Sequence, residues 1–147
     1  MPATDIKGIA ALLGPGDFNA VGIPGAGTPS VNLNSGPGTA YVVYARKSAA
    51  DGGIEFDVFA FDTAAEASTD FGSGLTPLPA AELQALEADK AAISFDELGN
   101  DPGTTFAEIR VIKGRIWFDI GIPSNPLAEA QLVALAKVVL QRAAAVI

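Results

Sequence analysis

"TFAEIRVIKGRIWFDIGIP", residues 105–123, alternates apolar and polar side chains on either side of a Lys-Gly pair. Side chains of a strand point to opposite faces in turn, so this pattern marks a hairpin with one dry face. With Lys113 and Gly114 as a two-residue loop, Val111 faces Ile116, Ile109 faces Phe118 and Ala107 faces Ile120, three apolar pairs for a core. The same register sets Arg110 opposite Trp117 and Glu108 opposite Asp119 on the other face. Beyond the hairpin, Ser124 or Asn125 is placed to cap a helix with Pro126 in its first turn. Leu127, Leu132, Leu135, Val138, Val139 and Arg142 then line one stripe that runs to near the C-terminus.

An equivalent pattern lies upstream. "AYVVYARKSAADGGIEFDVFAFDT", residues 40–63, reads as two strands, 41–47 and 54–62, around a turn in which Asp51-Gly52-Gly53 admits positive backbone dihedrals. Thr63 and Glu66 have the Thr-x-x-Glu spacing of a capping box, and the helix they start, 64–71, ends at Gly72 and Gly74. Hairpin-then-helix therefore occurs twice, at 41–73 and 105–145. A helix over 4–13 with Thr4 as cap, another over 80–88, a strand over 91–96 and a loop over 97–105 complete the reading. The Gly/Pro-rich segment 14–39 offers only a helical turn at 17–21 and a short strand at 31–33. Phe18, Val21, Ile23, Val31 and Leu33 within it want burial, so it is read as a covering segment. The expected fold is α+β, one domain over 1–147, with an antiparallel sheet of about 4–6 strands and helices packed on one face.

Composition narrows the function. The 147 residues are 49% apolar and 18% charged, which excludes a disordered chain, and no apolar run reaches the roughly 20 residues of a membrane span. Seventeen carboxylates stand against nine basic residues, so phosphate backbones are not the expected partner. Without histidine or cysteine there is no imidazole base, thiol nucleophile, disulfide or zinc site of the usual type. No Gly-x-Ser-x-Gly elbow occurs, and "GIPGAG" (22–27) and "GSG" (72–74) fit neither dinucleotide nor phosphate loops, so no cofactor is expected. The acids of 96–108 lack the spacing of a calcium hand, so no metal is expected either. The N-terminal "MPATDIKGIAALLGPG" does not have the layout of an intact secretory signal, which is compatible with a cytoplasmic protein or a trimmed exported one.

The succession "VFAFDTAAEA" (58–67), "IRVIKGRIWFDIGI" (109–122) and "LVALAKVVLQRAAAVI" (132–147) resembles small extracytoplasmic domains of bacterial lipoproteins, notably actinobacterial ones with a Mog1/PsbP-like fold. The likeness spans about residues 40–147. It implies an exported, non-catalytic domain that binds a lipid, a peptide or a partner protein, and it carries over no functional residue.

Strand alternation puts Ile54, Phe56 and Val58 with Ile109, Val111, Ile116, Phe118 and Ile120 under the helices. The opposite face takes Glu55, Asp57, Phe59, Phe61, Glu108, Arg110, Trp117 and Asp119. Opposed Glu108 and Asp119 repel, and two readings follow. In one, Arg110 neutralises them from the diagonal and stacks on Trp117 as ordinary surface pairing. In the other, an acid pair with one raised pKa takes a proton or holds a hard cation. The expected function is a non-enzymatic binding domain that uses Trp117, Phe59, Phe61, Arg110, Asp119, Glu108 and Asp57 for a small apolar ligand or a protein partner. The alternatives are a cofactor-independent hydrolase or isomerase and a self-assembling homo-oligomeric subunit. The enzyme reading takes Asp119, Glu108 or Asp57 as base and Arg110 or Arg46 as anion holder.

Overall fold

The structure, a computed structural model, describes residues 6–23, 26–32, 39–44, 54–69, 75–97, 105–123 and 126–144, with the backbone alone at 6–7, 39–44, 95–97 and 105–106. Its strands are β1 (Pro29–Asn32), β2 (Thr39–Tyr44), β3 (Ile54–Ala60), β4 (Thr76–Pro77), β5 (Lys90–Glu97), β6 (Thr105–Lys113) and β7 (Ile116–Pro123). Its helices are α1 (Ile6–Ala10), α2 (Pro15–Ala20), α3 (Ala64–Thr69), α4 (Ala80–Leu86) and α5 (Ala128–Ala143). Thr4, Leu33, Arg46, the Asp51–Gly53 turn, the Gly72 and Gly74 stop, the 98–104 loop and the Ser124 or Asn125 cap lie outside the described residues.

The strands form one sheet in the order β1-β2-β3-β7-β6-β5-β4, every neighbouring pair antiparallel. The α+β class and the antiparallel sheet are thus as expected. The sheet is wider than six strands because β4, two residues long, closes one edge, while β1 at the other edge overlaps the short strand expected at 31–33. A segment as short as β4 carries too few residues to show an alternation. All eight side chains assigned to the dry face belong to one core, with Ile9 of α1, Phe18 of α2, Leu86 of α4 and Leu132, Leu135 and Val139 of α5 over them. The short α3 lies by the opposite face, where Ala67 packs with Ile112 and Trp117.

The hairpin loop differs from the expected one. Gly114 and Arg115 form it, so Lys113 pairs with Ile116, Val111 with Phe118, Ile109 with Ile120 and Ala107 with Ile122. Gly114 has φ +59° at the first central position, the glycine-first pattern of a type II′ loop, whereas a Lys-Gly loop would have forced lysine into that conformation. Two further contacts hold the tip: the Gly114 amide donates to Asp89 Oδ2 at 2.7 Å and Lys113 Nζ donates to the Glu87 carbonyl at 2.6 Å. Partners move by two residues, so every side chain keeps its assigned face.

Two local expectations also shift. Thr63 Oγ1 accepts from the Glu66 amide at 3.1 Å as a capping box requires, but Glu66 Oε2 reaches the Asp62 amide at 3.2 Å, one residue earlier than the box. The last helix starts at Ala128, which leaves Leu127 65% exposed and outside the buried stripe. Arg142, also exposed, works as a clamp: its guanidinium grips both Asp17 oxygens at 2.8 Å and the Leu12 carbonyl at 2.6 Å.

Candidate functional site

Three rows of register partners cross the outer face at its centre. One runs Glu55, Gly121, Glu108, Ser94; the next Asp57, Asp119, Arg110, Ala92; the third Phe59, Trp117, Ile112, Lys90. The true register therefore overturns the direct opposition of Glu108 and Asp119. Glu108 faces Gly121, Arg110 faces Asp119, and the like-charge pair is Asp57 with Asp119.

Arg110 has become the centre of a short network. Its Nε donates to Asp119 Oδ1 at 2.7 Å, and one Nη donates to Asp119 Oδ2 and to Glu108 Oε1, each at 3.3 Å. Its guanidinium lies 4.6 Å from the Trp117 ring centroid. The expected neutralisation and stacking by Arg110 are both present, with Asp119 directly across the ladder and not on a diagonal. Burial and the ionised Glu55 and Glu108 push Asp57 up to about 7, against the pull of Arg110. Burial also raises Asp119 while the Arg110 hydrogen bonds oppose it. Both Asp119 oxygens accept from the guanidinium, a geometry that suits the ionised form, so burial and Arg110 pull Asp119 in opposite directions.

The aromatic end is a second, smaller core. Trp117 is only 5% exposed, Phe59 stacks on it with centroids 4.0 Å apart, and Phe61 follows at 6.4 Å. Ala67 and Ile112 close the cluster, while the indole Nε1 is buried with no acceptor among the described residues. The Gly/Pro-rich segment does not supply this cover in its described part: Phe18, Val21, Ile23 and Ala26 all pack into the helical-side core. The Gly14 amide donates to Asp17 Oδ2 at 2.8 Å at the start of α2, and the apolar residues that follow face the helical side.

All seven candidate residues thus share one face, as alternation required. What the structure adds is that the rings are covered largely by their own chain, while in the charged rows Glu55 is exposed, Asp57, Glu108 and Arg110 are half-buried and Asp119 is buried. Gly121 went unnoticed in the sequence; it stands between Glu55 and Glu108 in the ladder and is itself buried, a placement only the correct register reveals. Among the described residues no three acids are grouped to hold a metal ion, and no helix is long and apolar enough to cross a membrane. The chain matches no protein-family model, and no curated protein matches it.

Proposed function

We propose that this is a non-catalytic binding domain whose outer sheet face receives a cationic segment of a partner protein. One observation carries the reading: Glu55, Asp57, Glu108 and Asp119 occupy adjacent register positions with Arg110 as the cation among them. Carboxylates crowded at the rim of a low-dielectric surface repel, and lysine or arginine side chains from a partner relieve that repulsion as they dock. The resemblance to lipoprotein domains supports a site of action outside the cytoplasm, which fractionation of the native host would check.

Trp117, the sole tryptophan, reports on Arg110 above it. Hexalysine should change its emission saturably, hexaglutamate should not, and Asp57→Asn with Glu108→Gln should abolish the response. A hexalysine response that survives both substitutions would reflect only the net charge of −8 and would sink the proposal.

A second reading rests on Asp57 alone. A carboxyl that titrates near 7 is suited to proton transfer, which keeps a hydrolase or isomerase with Asp57 as base in view. Carboxyl-carbon NMR that finds Asp57 below about 5 removes it.

A further inference from the structure

On the helical side of the molecule, away from the charged rows, a groove of about 680 Å³ opens between α4, α5 and the tip of the β6–β7 hairpin. Ligand pockets commonly fall between roughly 300 and 1,000 Å³. Leu86 and Leu140 are its large apolar lining residues, and Lys113, Lys137 and Gln141 line it with polar ends. Lys137, Leu140 and Gln141 are spaced three and four apart, so one stripe of α5 presents them together.

The wall opposite α5 is held in place. Glu87, at the end of α4, has φ 57°, the single positive value at a non-glycine residue among the described residues. Such conformations persist where neighbours fix them. Here Lys113 Nζ holds the Glu87 carbonyl, while Asp89 accepts from the Gly114 amide and donates its own amide to the Ile112 carbonyl at 2.9 Å. The groove is therefore built before any ligand arrives, which lowers the ordering cost of binding.

Charge decides what fits. Two lysines, Lys113 and Lys137, line the groove with apolar Leu86 and Leu140, against the single carboxylate of Glu87. Lys113 spends one N–H on Glu87 and retains others, and an ammonium attracts any anionic head without demanding a planar one. We infer that the α4–α5 groove binds a single-chain amphiphile with an anionic head, its tail against Leu86 and Leu140 and its head between Lys113 and Lys137.

The test is NMR titration of the ¹⁵N-labelled full chain with laurate, dodecyl phosphate and dodecyltrimethylammonium, each below its micelle concentration. Laurate or dodecyl phosphate should shift the amides of Leu86, Lys113, Lys137 and Leu140, the tighter of the two identifying the head group. The trimethylammonium amphiphile should bind at least tenfold more weakly, and Lys137→Glu, an exposed position, should weaken the anions at least fivefold with the rest of the spectrum unchanged. Equal binding of the cationic amphiphile, anion binding indifferent to Lys137→Glu, or shifts confined to Trp117 and its neighbours would each overturn the assignment. None of these outcomes bears on the hexalysine response of the opposite face.

Discussion

Asp57 stands next to Asp119 in the ladder, yet the guanidinium that bonds Asp119 does not bond Asp57 in the same way. Its folded pKa is raised to about 7 from the ordinary carboxylate value, so between about pH 4 and 7 the folded state holds more proton than the unfolded chain. Stability from this group is thus fully present below pH 4 and is lost as pH rises through 7. Asp57→Asn should raise stability at pH 8 by about 1–2 kcal/mol, a linkage figure already reduced for solvent screening, and leave it nearly unchanged at pH 4. Asp119→Asn should instead cost about 1–3 kcal/mol at pH 8 because Arg110 loses its closest partner. Urea titrations of both variants at the two pH values check this, and a destabilised Asp57→Asn at pH 8 would contradict it. The sequence shows that these acids share a face, because alternation has period two whatever the loop. It does not show which acid meets which, since that depends on the φ of one residue, Gly114.

At the scale of elements, α5 is where the sequence is most readable. Leu132, Leu135 and Val139 repeat at helical spacing and are fully buried against the sheet. Leu135→Ala should cost about 2–5 kcal/mol, the range for truncating a leucine in a close-packed core, and a loss below about 0.5 kcal/mol would place Leu135 elsewhere. The start of the helix is less readable, because Pro126 fits a first turn by its fixed φ whether or not the helix begins there. Least readable is the clamp from Arg142 to Asp17, which joins residues 125 apart in sequence. Nothing local in "GPGDFNA" or "LQRAAA" announces it. The pairing holds Asp17 below its usual pKa, so its contribution is present at neutral pH and fades as acid protonates Asp17 below about pH 4. Arg142→Ala should cost about 0.5–1 kcal/mol at pH 7, since the guanidinium is half exposed, and less at pH 3, where the Asp17 pair is weakened but the bond to the Leu12 carbonyl remains. Thermal melts at the two pH values measure it.

Over the whole molecule, the two sheet faces have opposite requirements. The helical side is closed by four helices, whereas the outer side gathers acids that would meet acids in a two-fold pair of identical copies. Sedimentation at pH 8 and low salt should therefore give a monomer, and a dimer under those conditions that Glu108→Lys disrupts would favour self-assembly through this face. The overall layout was legible because both hairpins and their following helices are local in sequence. The edge strand β4 and the direction in which 14–26 folds back were not, since both depend on contacts made far along the chain. The strand order has its own consequence. β1, β2 and β3 come from one continuous stretch and β4 to β7 from another, and the two stretches meet in the sheet along the single ladder between β3 and β7. α1 packs on β2 and β3, and α5 on β6 and β7, so each half carries its own main helix. A chain opened between Thr69 and Leu75 is thus divided along a natural suture. Its two pieces, mixed, should recover native circular dichroism by zipping that ladder, and Val58→Asp, which places a charge in the suture, should keep them apart.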